Sequence, residues 1–149
     1  AFIERGETEI ARVLRYQRPL SLAMMDLDNL KTINDEYGHN AGDNALMTIV
    51  QLCQKEMRSS DAIARYGGDE FVILLPETNM EKAFRLAERI CQSVNKIVLE
   101  TKPNNNVFLS VSIGLSEFDG KEKLESLLQR ADEALYEAKR SGKNRVVKK

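Results

Sequence analysis

The chain has 149 residues, 42% of them apolar and 30% charged, with a formal net charge of -1 and a pI near 6.0. That balance describes one globular unit over residues 1–149 able to bury a core without disulfides, and it removes the main argument for a binder of nucleic-acid polymers, which usually shows a strongly basic face or stripe. Cys53 and Cys91 stand apart, without CxxC or Cys/His ligand spacing, so both are expected as small buried apolar residues in a reducing compartment, with no zinc site.

No apolar run reaches the length of a bilayer span and no secretory leader is visible, so the domain is expected in the cytoplasm without membrane contact of its own. The opening Ala1-Phe2-Ile3 already lies in a helical pattern, which suggests a cut from a longer protein whose missing N-terminal part could anchor it to a membrane. Residues 3–16 carry Ile10, Val13 and Leu14 at helical spacing, and Pro19 then leads into Leu20-Ser21-Leu22-Ala23-Met24-Met25, which reads as a buried central strand. The strand ends in Asp26-Leu27-Asp28, followed by a polar stretch over 29–40 and a helix over 44–57 with Leu46, Ile49, Val50 and Cys53 on one face. Residues 62–66 and 71–75 flank Gly67-Gly68, a pair suited to the positive φ angles of a tight hairpin. Thr78-Asn79-Met80-Glu81 has capping-box spacing and opens a helix to about residue 98; Asn104-Asn105-Asn106 marks a turn. A strand over 107–115 follows, then a helix bearing Leu124, Leu127, Leu128, Ala131, Ala134, Leu135 and Ala138, closed by Gly142 before a short strand at Arg145-Val146-Val147. Pro19, Pro76 and Pro103 all fall at element boundaries. About five strands and four or five helices give an α/β (α+β) sandwich on a mixed sheet.

Asp26 and Asp28 leave the same face of the sheet if the extended conformation persists through Asp28. Asp69 and Glu70 sit in or just after the two-glycine turn, between strands that read as buried, where carboxylates are costly unless exposed or bound to cations. A hard cation such as Mg²⁺ takes carboxylate and carbonyl oxygens together with substrate phosphates, so Mg²⁺ with a nucleoside triphosphate is the natural pairing. Taken singly these features have plainer readings: acids at a strand end open a loop, and Gly-Gly makes an ordinary turn.

Four ordered blocks lift the signal. They are Asp26-Leu27-Asp28-Asn29-Leu30-Lys31-Thr32-Ile33-Asn34-Asp35 running into Tyr37-Gly38-His39 and Gly42-Asp43; Asp61 through Arg65-Tyr66-Gly67-Gly68-Asp69-Glu70-Phe71; Ser112-Ile113-Gly114; and Ala131-Asp132 with Ala134-Leu135-Tyr136 and Ala138-Lys139. Together they resemble the GGDEF family of diguanylate cyclases over nearly the whole chain. The resemblance implies a palm-like fold similar to polymerases and adenylate cyclases, with a mostly antiparallel mixed sheet flanked by helices. It implies condensation of two GTP into cyclic di-GMP with release of two pyrophosphates, dependence on Mg²⁺ with Mn²⁺ as a substitute, a homodimer for catalysis, and an upstream sensory or receiver domain.

By the same resemblance, Asp26, the Leu27 carbonyl and Asp69 hold metal, and Asp69 is also the proposed proton acceptor, with Glu70 and Arg65 beside it. Which carboxylate takes the proton stays open, since geometry has to arbitrate. Asn34, His39 and Asp43 fall at the base. Guanine gives an independent reason for an acid there: its N1–H and N2 amino group are adjacent donors to one carboxylate, whereas adenine would leave a buried Asp unpaired. The plainer readings are that Asn34 caps a helix, His39 sits in a loop and Asp43 begins the next helix, a role Asp43 could combine with binding. Lys31, Lys139 and Lys143 match positions near the phosphates, where cations are needed beside carboxylates. Two departures stand out: Leu30 where the family usually has Phe, and Lys143 where Arg is commoner, a point charge in place of a bidentate fork.

Arg58-Ser59-Ser60-Asp61 is an RxxD separated from Gly67 by five residues, the placement of the family's product-inhibition site, with Arg89 as a second contact by resemblance. Arg suits phosphates and guanine edges, and Asp accepts from guanine. Alone, the pair reads as a surface salt bridge. Two other functions compete: a non-catalytic module that senses GTP or cyclic di-GMP, which retention of Asp26, Asn34, Asp43, Asp69 and Glu70 disfavours, and a transferase for another nucleotide, which Asp43 and His39 disfavour.

Overall fold

Leu20 through Met25 are sealed from solvent on both sides of the chain, and the rest of the molecule is arranged around them. The computed structural model describes residues 1–102 and 105–149. These six residues belong to β1 (Leu20–Leu27), the middle strand of a five-stranded sheet in the order β2-β3-β1-β6-β7. Its neighbours β3 (Glu70–Pro76) and β6 (Val111–Glu117) run antiparallel to it, β2 (Ala62–Gly67) runs antiparallel to β3, and only β7 (Val146–Lys148) pairs in parallel, with β6. The sheet is thus mixed and mostly antiparallel, as expected.

Alternation along β1 divides the core in two. Leu20, Leu22 and Met24 join Val72 and Leu74 of β3 under α1 (Phe2–Tyr16) and α5 (Leu124–Arg140), where Val13, Leu127, Ala131 and Leu135 pack. Ala23, Met25 and Leu27 face the opposite way with Phe71, Ile73 and Leu75, against α3 (His39–Glu56) and α4 (Met80–Asn95). Gly114 of β6 is what lets α5 lie so close: a Cβ there would stand 2.1 Å from Leu135 N and 2.2 Å from Ala131 O.

Several expected boundaries move. The polar stretch over 29–40 contains a helix, α2 (Leu30–Tyr37), because Leu30, Ile33 and Tyr37 recur at helical spacing against the core. The next helix, α3, starts at His39 rather than 44, after Gly38 turns the chain at φ 93°. On α1, Leu14 points to solvent while Val13 is buried. The cap of α4 is Asn79, whose side chain accepts from Lys82 N–H, rather than Thr78, and the helix ends at Asn95. Val98 falls in β4 (Val98–Lys102), which pairs with β5 (Asn105–Phe108) in a separate two-stranded ribbon. The expected single strand over 107–115 is therefore two, broken at Leu109 and Ser110. Of the expected turn at Asn104-Asn105-Asn106, Asn104 lies outside the described residues, as does Pro103, while Asn105 and Asn106 are in β5. Among the described residues, no helix is long and apolar enough to cross a membrane.

Candidate active site

The alternation that buries Leu20, Leu22 and Met24 brings Asp26 out on the same face at the end of β1. Its cross-strand neighbours there are Glu70 on β3 and Ser112 on β6. The β2–β3 hairpin closes through Gly68 and Asp69, with Gly67 paired to Glu70 and a bulge at Tyr66. Only Gly68 has the positive φ (40°) expected of both glycines. Arg65 Nε fastens the tip by donating to Gly68 O at 2.7 Å, which leaves Asp69 beside Asp26.

Asp69 and Glu70 lie near enough to Asp26 for their charges to repel it, without the three side chains converging on one point. Burial, opposed by Lys139 and reinforced by Asp69 and Glu70, pushes Asp26 up to about 7. Burial, then Asp132 of α5 and Asp69, likewise raise Glu70 above the usual carboxylate range. Among the described residues, Asp26 Oδ1 is buried with no hydrogen-bond partner. An orphaned buried carboxylate oxygen among other acids is the chemistry a cation satisfies, and the hard oxygen donors here fit Mg²⁺. Among the described residues no three His, Cys, Asp or Glu side chains converge to hold a metal unaided, so a cation would draw further ligands from main-chain carbonyls and phosphate.

Asp28 behaves differently. β1 ends at Leu27, so the extended conformation does not reach Asp28, yet Lys139 Nζ still touches both acids, at 2.7 Å from Asp28 Oδ1 and 3.7 Å from Asp26 Oδ2. Asp28 also accepts from Ser110 Oγ, Ser112 Oγ and Asn144 N–H. Burial works against its charge, but the hydrogen bonds from Lys139, Ser110 and Ser112 outweigh it and hold the carboxyl below its ordinary value. Lys143 Nζ donates to Asn29 Oδ1 at 2.9 Å.

A cavity of about 290 Å³ opens beside the hairpin tip, lined by Leu30, Asn34, Gly42, Asp43, Leu46, Arg65, Gly68 and Asp69. Asn34 lies within α2 and Asp43 one turn into α3, so neither is a cap, and Asp43 is exposed rather than buried as the guanine argument expected, because the first turn of α3 faces the open cleft. Gly42 permits the two helices to meet there, since a Cβ would fall 1.8 Å from Asn34 Oδ1. His39 and Lys31 are exposed and do not line this cavity.

On the far side, a second cavity of about 400 Å³ is lined by Arg58, Asp61 and Arg89 together with Lys82, Arg85, Thr78 and Glu56, among others. Asp61 accepts from Arg58 N–H at 2.9 Å and from Arg58 Nη2 at 3.3 Å; the same guanidinium reaches Pro76 O and Thr78 Oγ1, and Arg89 pairs with Glu56. Sequence reasoning missed Lys82 and Arg85, although 82, 85 and 89 follow helical spacing and mark one cationic face of α4. It quoted Ser112 and Asp132 within motif blocks without giving them a role, and it missed Ser110 and Asn144; the roles of all four depend on contacts between distant elements.

The family model described as diguanylate cyclase, GGDEF domain, matches residues 1–145. The diguanylate cyclase DosC of Escherichia coli K12 is 47% identical over 138 residues, covering 93% of this chain and 30% of DosC, so the chain spans less than a third of that curated relative. Among solved structures, the active GGEEF domain of a diguanylate cyclase from Vibrio cholerae superposes with a TM-score of 0.92 at 35% identity, covering 98% of this chain and 92% of that one. The GGDEF domain of DgcB from Caulobacter crescentus, in complex with c-di-GMP, superposes with a TM-score of 0.95 at 30% identity, covering 99% and 88%. With its five-stranded palm-like sheet, its acidic hairpin tip and a family match running almost end to end, this chain belongs to the GGDEF domain family of diguanylate cyclases.

Proposed function

We propose that the chain, a single GGDEF domain, condenses two GTP molecules into cyclic di-GMP with release of two pyrophosphates, as the C-terminal catalytic part of a longer cytoplasmic signalling protein with a sensory or receiver domain upstream. The observation that carries this is the buried, partnerless Asp26 oxygen beside Asp69, next to a cavity lined by Asn34 and Asp43. Mg²⁺, or Mn²⁺ in its place, would be held by Asp26, the Leu27 carbonyl and Asp69, and would neutralise the triphosphate and ease deprotonation of a ribose 3′-hydroxyl.

The chain's own residues do the rest. Asp43, exposed where it lines the cavity, accepts from guanine N1–H and N2–H, and Asn34, with His39 at the start of α3, flanks the base; adenine does not offer that adjacent pair of donors. Lys139, Lys143 and Lys31 face the phosphates, and Arg65 keeps the hairpin tip in place. Glu70 and Asp69, both among like charges, are the candidates to take the 3′ proton. Each protomer positions one GTP, so two must face each other for both attacks on the α-phosphates. Arg58, Asp61 and Arg89 form the site where cyclic di-GMP inhibits, the cationic face of α4 suiting its phosphates.

Incubation with GTP or ATP in Mg²⁺, followed by chromatography, tests the reading. Cyclic di-GMP from GTP and no cyclic dinucleotide from ATP is expected, with a rate that rises faster than linearly in protein concentration. Binding of GTP without product would make the chain a sensor instead.

A further inference from the structure

Resting on the cyclase reading above, we infer that Asp28 is a positioning residue: with Asn29 it clamps Lys139, Lys143 and the backbone between them where the triphosphate is to be met. The Asp28 side chain is fully buried, and its two oxygens are saturated by four donors. Oδ1 accepts from Lys139 Nζ and Ser112 Oγ, both at 2.7 Å; Oδ2 accepts from Ser110 Oγ at 2.6 Å and Asn144 N–H at 3.0 Å. Asp26, two residues earlier, keeps an oxygen with no partner at all. The two acids of one motif therefore divide the work: one is left open to a ligand, and the other is spent on holding the protein's own cations.

The loop that Asp28 holds would not stay in place unaided. Gly142, Lys143 and Asn144 have φ angles of 126°, 63° and 50°, three positive values in succession, and side chains with a Cβ persist there only when the surroundings fix them. Asn144 N–H on Asp28 and Lys143 Nζ on Asn29 Oδ1 are such restraints, and Lys143 N–H on Ala138 O is a third. The first two join the end of β1 to the loop after α5 across more than a hundred residues of sequence. A free lysine on a four-carbon stem loses rotamer freedom when it meets a phosphate, whereas one already held loses little, so the clamp favours triphosphate binding without touching the nucleotide.

The test compares affinities for a nonreactive triphosphate, α,β-methylene GTP, and for GMP, by calorimetry in Mg²⁺. Asp28→Asn is expected to weaken the triphosphate analogue about tenfold while leaving GMP within about twofold, because only the lysine contacts are lost. Lys139→Met should do the same, and the loss in Asp28→Asn combined with Lys139→Met should be smaller than the product of the two single losses, since Asp28 acts in part through Lys139. Asn29→Gly tests the Lys143 half without risk to folding, as glycine tolerates the φ of 60°; it should weaken the triphosphate analogue about threefold and GMP not at all. Equal losses for both ligands, or additive losses in the double variant, would overturn the inference. If Asp28→Asn does not fold, a selective loss in Asn29→Gly supports the clamp and its absence refutes it. A wild-type protein that binds neither analogue would instead remove the cyclase reading on which the clamp rests.

Discussion

Asp26 stands directly opposite Glu70 in the antiparallel register of β1 and β3, with Asp69 one residue away at the hairpin tip. The fold thus forces charges together that it does not itself neutralise, since Lys139 is engaged mainly by Asp28.

That arrangement gives stability a pH dependence. With the folded carboxyl of Asp26 at about 7 and the unfolded one at 3.8, the unfolded state binds fewer protons between those values. The contribution of Asp26 to stability is therefore fully present below pH 3.8 and is lost as the pH rises through 7. Asp26→Asn should raise the Tm of metal-free protein at pH 8 by a few degrees, about 1–2 kcal/mol after allowance for water in the cleft, and change it little at pH 4. Mg²⁺ should raise the Tm of the wild type at pH 8 and leave the variant unmoved. Thermal denaturation at the two pH values checks both statements, and a variant less stable than wild type at pH 8 would contradict them.

Replacing Arg58 by Ala removes the guanidinium that joins Asp61, Pro76 O and Thr78 Oγ1 at the rim of the larger cavity. The variant should keep its initial rate and resist added cyclic di-GMP by at least about tenfold in half-inhibitory concentration. Progress curves with and without added product decide this; identical inhibition of both proteins would remove the assignment.

Burial pushes both thiols, Cys53 and Cys91, up to about 12. Because the thiolate is the nucleophile, neither should react with Ellman's reagent at pH 8 in the native protein, and both should react once it is unfolded in guanidinium. Rapid labelling of one native thiol would show a local opening of the α3 or α4 face.

Two glycines separate a local from a global consequence. At Gly42 an added methyl meets the end of the Asn34 side chain, which can swing away, so Gly42→Ala should raise the KM for GTP several-fold with little loss of stability. At Gly114 it meets the α5 backbone, which cannot, so Gly114→Ala should cost about 3 kcal/mol and move Lys139. Denaturant titration alongside steady-state kinetics distinguishes the two.

The same residues show what was legible beforehand. The β1 run, the β2–β3 hairpin and the α5 face could be read because their signals are strong and local, although the turn falls at Gly68-Asp69 and not at Gly67-Gly68. The helix over Leu30–Tyr37 was hidden by polar neighbours, although Leu30, Ile33 and Tyr37 carried its period. The motif order singled out Asp26, Asn34, Asp43 and Asp69, and the fold brings the last three to one cavity. It could not distinguish Asp28 from Asp26, because only the pairing of β1 with β6 and the crossing of α5 supply Ser110, Ser112, Lys139 and Asn144 to one of them. His39 and Lys31 matched by position but stand at the surface, outside the cavity that their motif neighbours line.

The central claim is most directly tested by measuring, in one incubation with GTP and Mg²⁺, the pyrophosphate released and the cyclic di-GMP formed, for the wild type and for Asp69→Asn. A diguanylate cyclase releases two pyrophosphates for each cyclic di-GMP, and loss of the Asp69 carboxylate should lower both products at least about a hundredfold. Pyrophosphate without the cyclic dinucleotide, or equal turnover by the two proteins, would contradict the claim.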